Sequence, residues 1–410
     1  FGTLTDSSDN TQSMIYGSSN IVKLSVNSQI GGKTHTIDTI TESIVQGSNS
    51  KVKNNIAVIV SGKNQDISGN SDYTFLSGMN NKVNTSKRNI LSGQSHNIKT
   101  TDDGLIVGRN NTVELATKNV VLGEDNNITN NSNSVLFGGS MTTLNSESSV
   151  LGGFTNNINS AKYALIAGRN HTILTSHQSI IAGHTNKDTT GTNNAIFGEF
   201  QDVATTINTI VSGTTNNIDN VENTMIVGDE NMANGAKESI ITGKENQVTG
   251  GNFNIIGGNI NNITNTNSSF ISGVNHTILN TNKSFLSGQT IEETSGTNNA
   301  LIGESLISSL NTNSILSGKS NNISGSKEII IGGKGHTITT TNHSIVAGLT
   351  NKDYKGDHNA IFGTVQDVSA CDNVISSGKT NTVKSSENTL VIGDTNSVVA
   401  TNESIISGKS

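Results

Sequence analysis

Ser179-Ile180-Ile181-Ala182-Gly183 is one copy of a unit that returns every 15 residues along the chain. Ser43-Ile44-Val45-Gln46-Gly47, Ser239-Ile240-Ile241-Thr242-Gly243 and Ser404-Ile405-Ile406-Ser407-Gly408 are further copies. The closing glycine falls at 17, 32, 47 and 62, then at 78 and at every fifteenth residue up to 408, with one extra residue tolerated in the coil Val58 to Tyr73. A strict short period over a long chain is the signature of a solenoid, in which each coil needs only its neighbours. The sequence therefore predicts an all-β, single-chain β-solenoid (a parallel β-roll) over residues 1–410, with about 27 coils and two short strands per coil. At one strand spacing of about 4.8 Å per coil, the rod would be about 130 Å long.

Counting the Ser as position 1 and the Gly as position 5, each column of the repeat has its own chemistry. Position 3 is apolar almost throughout, as at Val45, Ile181, Val211 and Ile241, with Ser376 the exception. Position 10 is a second apolar column, with Val52, Ile128, Ile218 and Ile323. These residues are expected to form ladders in a thin core between two facing strands. The glycines of position 5, such as Gly183, Gly213 and Gly243, read as the turn between them, because a Gly on every full coil implies φ > 0 or neighbours too close for a Cβ. Position 8 is mostly Asn, including Asn156, Asn216 and Asn321, and also holds His35, His96, His171, His276 and His336. A stacked amide ladder there would satisfy backbone groups, with His replacing Asn one for one. Positions 11 to 15 and then 1 are polar and read as the exposed return of the coil.

Composition agrees with this frame. The chain contains no Pro, as expected where nearly every N–H enters a strand ladder. With 3% aromatic residues and no Trp, a large globular core is not expected. The net charge of -7 is small for the length and is not gathered into blocks, so no nucleic-acid partner is implied, and no apolar run is long enough to span a membrane. A single cysteine, Cys371, rules out an internal disulfide framework. The chain begins and ends part-way through a coil and reads as a mature fragment or a window onto something longer.

Position 2 breaks the alternation that a lone solenoid would show. If position 3 points inward, position 2 points away from the core and should be polar. Instead it holds Ile180, Ile210, Ile240, Phe270 and Phe285. Position 4 answers it in volume: Ala195 is followed by Phe197 and Ala300 by Ile302, whereas Ile180 goes with Ala182 and Phe285 with Ser287. Such compensation is the behaviour of a packed interface. An apolar stripe of this length far exceeds what a soluble monomer exposes. Positions 2 and 4 are therefore assigned to an oligomer interface, a parallel in-register homotrimer, with a gross burial term on the order of 40 to 70 kcal/mol.

Two strands per coil, a Ser-apolar-apolar-x-Gly strand such as Ser179 to Gly183 followed by Asn186, and an oligomer-facing second side resemble the head repeats of trimeric autotransporter adhesins, the YadA-like left-handed parallel β-roll. The unit here is one residue longer than that family's usual one and is rich in Ile and Asn rather than Ala and Val. The resemblance implies a trimeric extracellular fibre at a cell surface that binds a host-cell or matrix receptor.

A longer duplication overlies the 15-mers. Asn186-Lys187-Asp188 through Gly198 returns 165 residues later as Asn351-Lys352-Asp353 through Gly363. In these coils position 10 is acidic, at Asp188 and Asp353, and a shorter relative carries Glu293; Gly191, Gly356 and Gly296 follow three residues later. A charge cannot replace Ile in a thin core. The expected solution is a bulge that swings the carboxylate outward, with Gly permitting it; a ligand or cation contact at Asp188, Glu293 and Asp353 is the alternative.

No catalytic, metal or cofactor constellation is read from the sequence. An enzyme solenoid would need clustered carboxylates about 5 to 10 Å apart, and an ice-binding one a regular Thr face, and neither pattern is present. The leading expectation is a non-enzymatic structural and adhesive fibre. The alternative is a filament subunit, or a viral fibre, that stacks end to end through an uncapped coil such as Ser404 to Gly408.

Overall fold

The computed structural model describes residues 6–408 except 291, 306, 311, 321, 323, 326, 329, 333, 335, 336, 341, 344, 348, 351, 356, 359, 363, 368, 374, 396 and 404. The chain is an all-β parallel β-solenoid of 15-residue coils with two strands per coil and no helix among the described residues. It divides into two compact units, Phe1–Thr205 and Thr206–Ser410, built on the same plan.

In each unit the strand over positions 2 to 6 stacks on its equivalent in the next coil to form a front sheet. Leu165–Arg169 lies parallel to Ile180–His184, with Leu165 opposite Ile180 and Gly168 opposite Gly183. In the second unit Ile240–Lys244 pairs with Ile255–Asn259 in the same register. The strand beginning at position 9 forms a back sheet, as where Thr172–His177 pairs with Lys187–Thr192 and Met232–Lys237 with Gln247–Asn252. The offset of 15 residues lengthens by one where Ile59 pairs with Phe75 and Asp66 with Lys82. The extra residue sits at Gly69-Asn70, where both residues are left-handed, at a corner that takes a single left-handed residue in coils such as those with Thr39 and Leu115.

The corners explain the inward columns. In the coil of Gly108, left-handed φ falls at Asn110, Leu115 and Lys118, which are positions 7, 12 and 15. Strict alternation after an inward position 10 would turn position 12 inward. The left-handed residue at 12 shifts the inward side to 13 instead. Ile40, Asn55, Thr101, Ala116 and Ala161 are accordingly buried at position 13, and Ser43, Asn89, Ser149 and Ser239 at position 1. The expectation that positions 11 to 15 and 1 form a wholly exposed return is thus corrected: five columns line the core, two of them apolar, one mixed and two polar. Ile181, Ile218 and Ile241 are fully buried in the apolar pair. Ile323 lies outside the described residues.

The position-5 glycines are not the turn. Gly183, Gly213 and Gly243 lie inside front strands with φ of 126°, 130° and 115°. A Cβ on Gly183 would overlap the carbonyl oxygen of Gly198, and one on Gly168 would also strike the ring of His171. Glycine is required because the next coil's backbone and the position-8 side chain occupy the space a side chain would need.

Candidate functional site

Two polar ladders close the core. Asn156 at position 8 donates from Nδ2 to the carbonyls of Gly152 (2.9 Å) and Gly168 (3.2 Å), and its Oδ1 accepts from the backbone N–H of His171 at 2.9 Å. Asn216 repeats this, donating to Gly228 O at 2.9 Å and accepting from the Asn231 N–H at 2.9 Å. His171 takes the same part with a ring: Nε2 lies 3.0 Å from the Ala167 carbonyl and Nδ1 3.2 Å from the Asn186 backbone nitrogen. The His276 ring likewise stands 3.2 Å from the Ser272 carbonyl. A ring that donates from Nε2 and accepts at Nδ1 is neutral, and burial pushes His35, His96, His171 and His276 below the usual imidazole value. Position 1 forms the second ladder, as where Ser43 Oγ donates to Thr41 O at 2.8 Å and accepts from the Val58 N–H at 3.2 Å. Asn321 and His336 lie outside the described residues.

The neutral rings set a pH dependence. Below the unfolded value of 6.5 the unfolded chain takes up a proton that the folded ring resists, so His171 withdraws stability as pH falls through that region. His171→Asn is expected to melt within about 1 kcal/mol of the parent at pH 8, where both side chains make one ladder's worth of hydrogen bonds. At pH 5 the variant is expected to be the more stable of the two. Thermal melts at the two pH values check this; a variant that is much weaker at pH 8 would show that the ring does more than replace an amide.

Asp188 does not swing outward. Its side chain is fully buried at position 10, in register with Ile173 of the preceding coil. A Cβ on Gly191 would overlap both carboxyl oxygens, so the glycine at position 13 clears the space that the carboxyl head fills inside the coil. Neither oxygen reaches hydrogen-bonding geometry, and the buried hydroxyl of Ser176 is likewise unpaired. Burial raises the Asp188 pKa to about 7. The bulge expectation is corrected here: glycine serves the carboxyl as volume rather than as a hinge. The side chains of Glu293 and Asp353 lie outside the described residues. Among the described residues no group of three or more His, Cys, Asp or Glu side chains is placed to hold a metal ion.

The outer side of the front sheet is apolar along successive coils. Ile180, Ile210, Ile240, Phe270 and Phe285 at position 2 are 39–45% exposed. The Phe270 and Phe285 rings stack with centroids 5.1 Å apart. Compensation also runs between coils at position 4, where the Tyr16 ring covers Gly31 and the Phe137 ring covers Gly152. Positions 2 and 4 carry no Asp, Glu, Lys or Arg in any coil. The nine large apolar residues at position 4 (Tyr16, Val107, Leu122, Phe137, Phe197, Val227, Ile302, Phe362 and Ile392) are never preceded two residues earlier by Ile or Phe.

The back sheet is mixed, exposing charged side chains beside apolar ones such as Ile21, Leu115 and Met232. Its outward positions hold ion pairs between neighbouring coils, such as Lys99 with Glu114 at 2.6 Å, Lys162 with Glu147 at 3.0 Å and Lys187 with Asp202 at 3.2 Å. These pairs are well exposed, so each adds little stability. Like-charged neighbours at the same sites would oppose the stacking register.

Comparison with protein-family models and with curated proteins finds no match.

Proposed function

We propose that this chain is part of a non-enzymatic extracellular fibre in which three copies pack through their front sheets and present their back sheets outward for adhesion. The observation that supports it is the charge-free, volume-matched apolar face at positions 2 and 4. Side chains such as Ile180, Ile240 and Phe285 are already more than half covered by their own chain. The remaining burial contributes about 0.5 to 1 kcal/mol per side chain, on the order of 10 to 25 kcal/mol over the array. This is below the sequence-based figure, because neighbouring coils cover part of each side chain. It still exceeds the lower estimates of association cost, and three-fold closure lets each copy offer the same face to both neighbours without open-ended growth.

The resemblance to trimeric autotransporter heads supports the cell-surface setting and a host-cell or matrix receptor as partner. The outward back sheet supplies the repeated surface that multivalent adhesion uses. Adhesion is tested with beads coated with the purified segment and washed over matrix-protein, glycan and cultured-cell surfaces. Retention above albumin-coated beads is expected on at least one of these surfaces, and reduced by Lys99→Ala together with Lys187→Ala. Retention no better than albumin on all of them would overturn the adhesive part of the reading.

A further inference from the structure

Each front segment runs from a position-15 residue, just before position 1, to the position-6 residue at its far end. Four described segments carry a charge at both ends: Asp103 to Arg109, Lys118 to Glu124, Glu238 to Lys244, and Glu328 to Lys334. In all four the two signs are opposite. The ends are six residues of extended chain apart, on the order of 20 Å, so this matching has no partner within one copy.

The two edges are built as distinct recesses. On one, Arg88, Asp103 and Lys118 stand beside the apolar Ile90, Leu105 and Val120. On the other, Arg109, Glu124 and Phe154 border the glycine column. Within the chain, Arg88 pairs with Asp103 and Arg109 with Glu124, so signs alternate along these two stretches of the edges.

We infer that two copies dock parallel and in register, with the position-15 edge of one against the position-6 edge of the next. This rests on the proposed parallel, in-register assembly through the front sheet and adds which edges meet and which residues set that register. In register, Asp103 meets Arg109 and Lys118 meets Glu124 of the neighbouring copy. A slip of one coil sets Arg88 against Arg109 and Asp103 against Glu124, or, in the other direction, Lys118 against Arg109. Like charges brought together in this way reject the wrong register. An antiparallel pair would set position-15 edges against each other and lose the match. Unlike edges meeting is the heterologous contact from which rotational rings are made. The same-coil exclusion between positions 2 and 4 has the same origin, since an in-register neighbour brings its position 4 over position 2 of the same coil.

The test is cysteine cross-linking in a Cys371→Ser background. A chain carrying Glu238→Cys and Lys244→Cys is oxidised, or treated with a short bis-maleimide, and run on a denaturing gel beside each single variant and the one-coil-slipped pair Asn223→Cys with Lys244→Cys. Covalent closed oligomers are expected from the in-register pair, and little product from the singles or the slipped pair. Dimers from Glu238→Cys alone would mean like edges meet, and would overturn the inference, as would more product from the slipped pair. Light scattering on the same samples separates the two readings. An assembly that yields no in-register product overturns the inference alone, whereas a monomer overturns the proposed assembly as well.

Discussion

Ile218→Asp is expected to destabilise the chain by about 4 kcal/mol or more at neutral pH, the penalty for an unpaired buried charge. Ile218 is fully buried at position 10, opposite Ala233 of the next coil, and Val221 fills position 13 of its own coil. No glycine clears room there for a carboxyl head. Asp188→Val is expected to do the reverse. The folded pKa of Asp188, about 7, stands above the unfolded 3.8, so the folded chain holds the extra proton between those values. Its stability therefore falls as pH rises from 3.8 to about 7 and then levels off, a loss on the order of 4 kcal/mol. Removing the carboxyl restores most of that at pH 8 and little at pH 4, less whatever repacking around Gly191 costs. Melts of the two variants at both pH values check the pair. Equal destabilisation by both at pH 8 would contradict the placement of Asp188.

The second large effect concerns assembly. Ile180→Asp, Ile210→Asp and Ile240→Asp in one chain replace side chains that a single copy leaves 39–45% exposed. The strands should survive, because these side chains point away from the core ladders. The interface should not, because three charges per copy would be brought together on a face that carries none in any coil. Circular dichroism with an unchanged strand signal, together with a fall in solution mass to a single chain, is the expected result. A variant that kept its assembly state would exclude positions 2 and 4 from the interface.

Much of this molecule was legible in its sequence because the repeat averages over its own noise. Ile181 and Ile218 announce two inward columns, and the apolar run Ile180-Ile181 announces a front strand that is apolar on its outer side as well. The interchange of Asn156 and His171 in one column shows a shared hydrogen-bonding task, which the ring meets through Nε2 and Nδ1. Other features depend on backbone angles that residue identity does not declare. Leu115 and Lys118 are left-handed corners although neither residue favours that region, and in that coil the corner at position 12 turns position 13 inward. Gly183 was legible as a required glycine but not as one inside a strand. Asp188 misled because Gly191 reads equally as a hinge or as vacated volume.

The central claim is that the front sheet is covered by further copies of this chain, and multi-angle light scattering on the purified segment measures it most directly. One chain has a mass of 42.8 kDa. A single species at three times that mass, unchanged on dilution, is the expected result. A monodisperse species at 42.8 kDa would contradict the account.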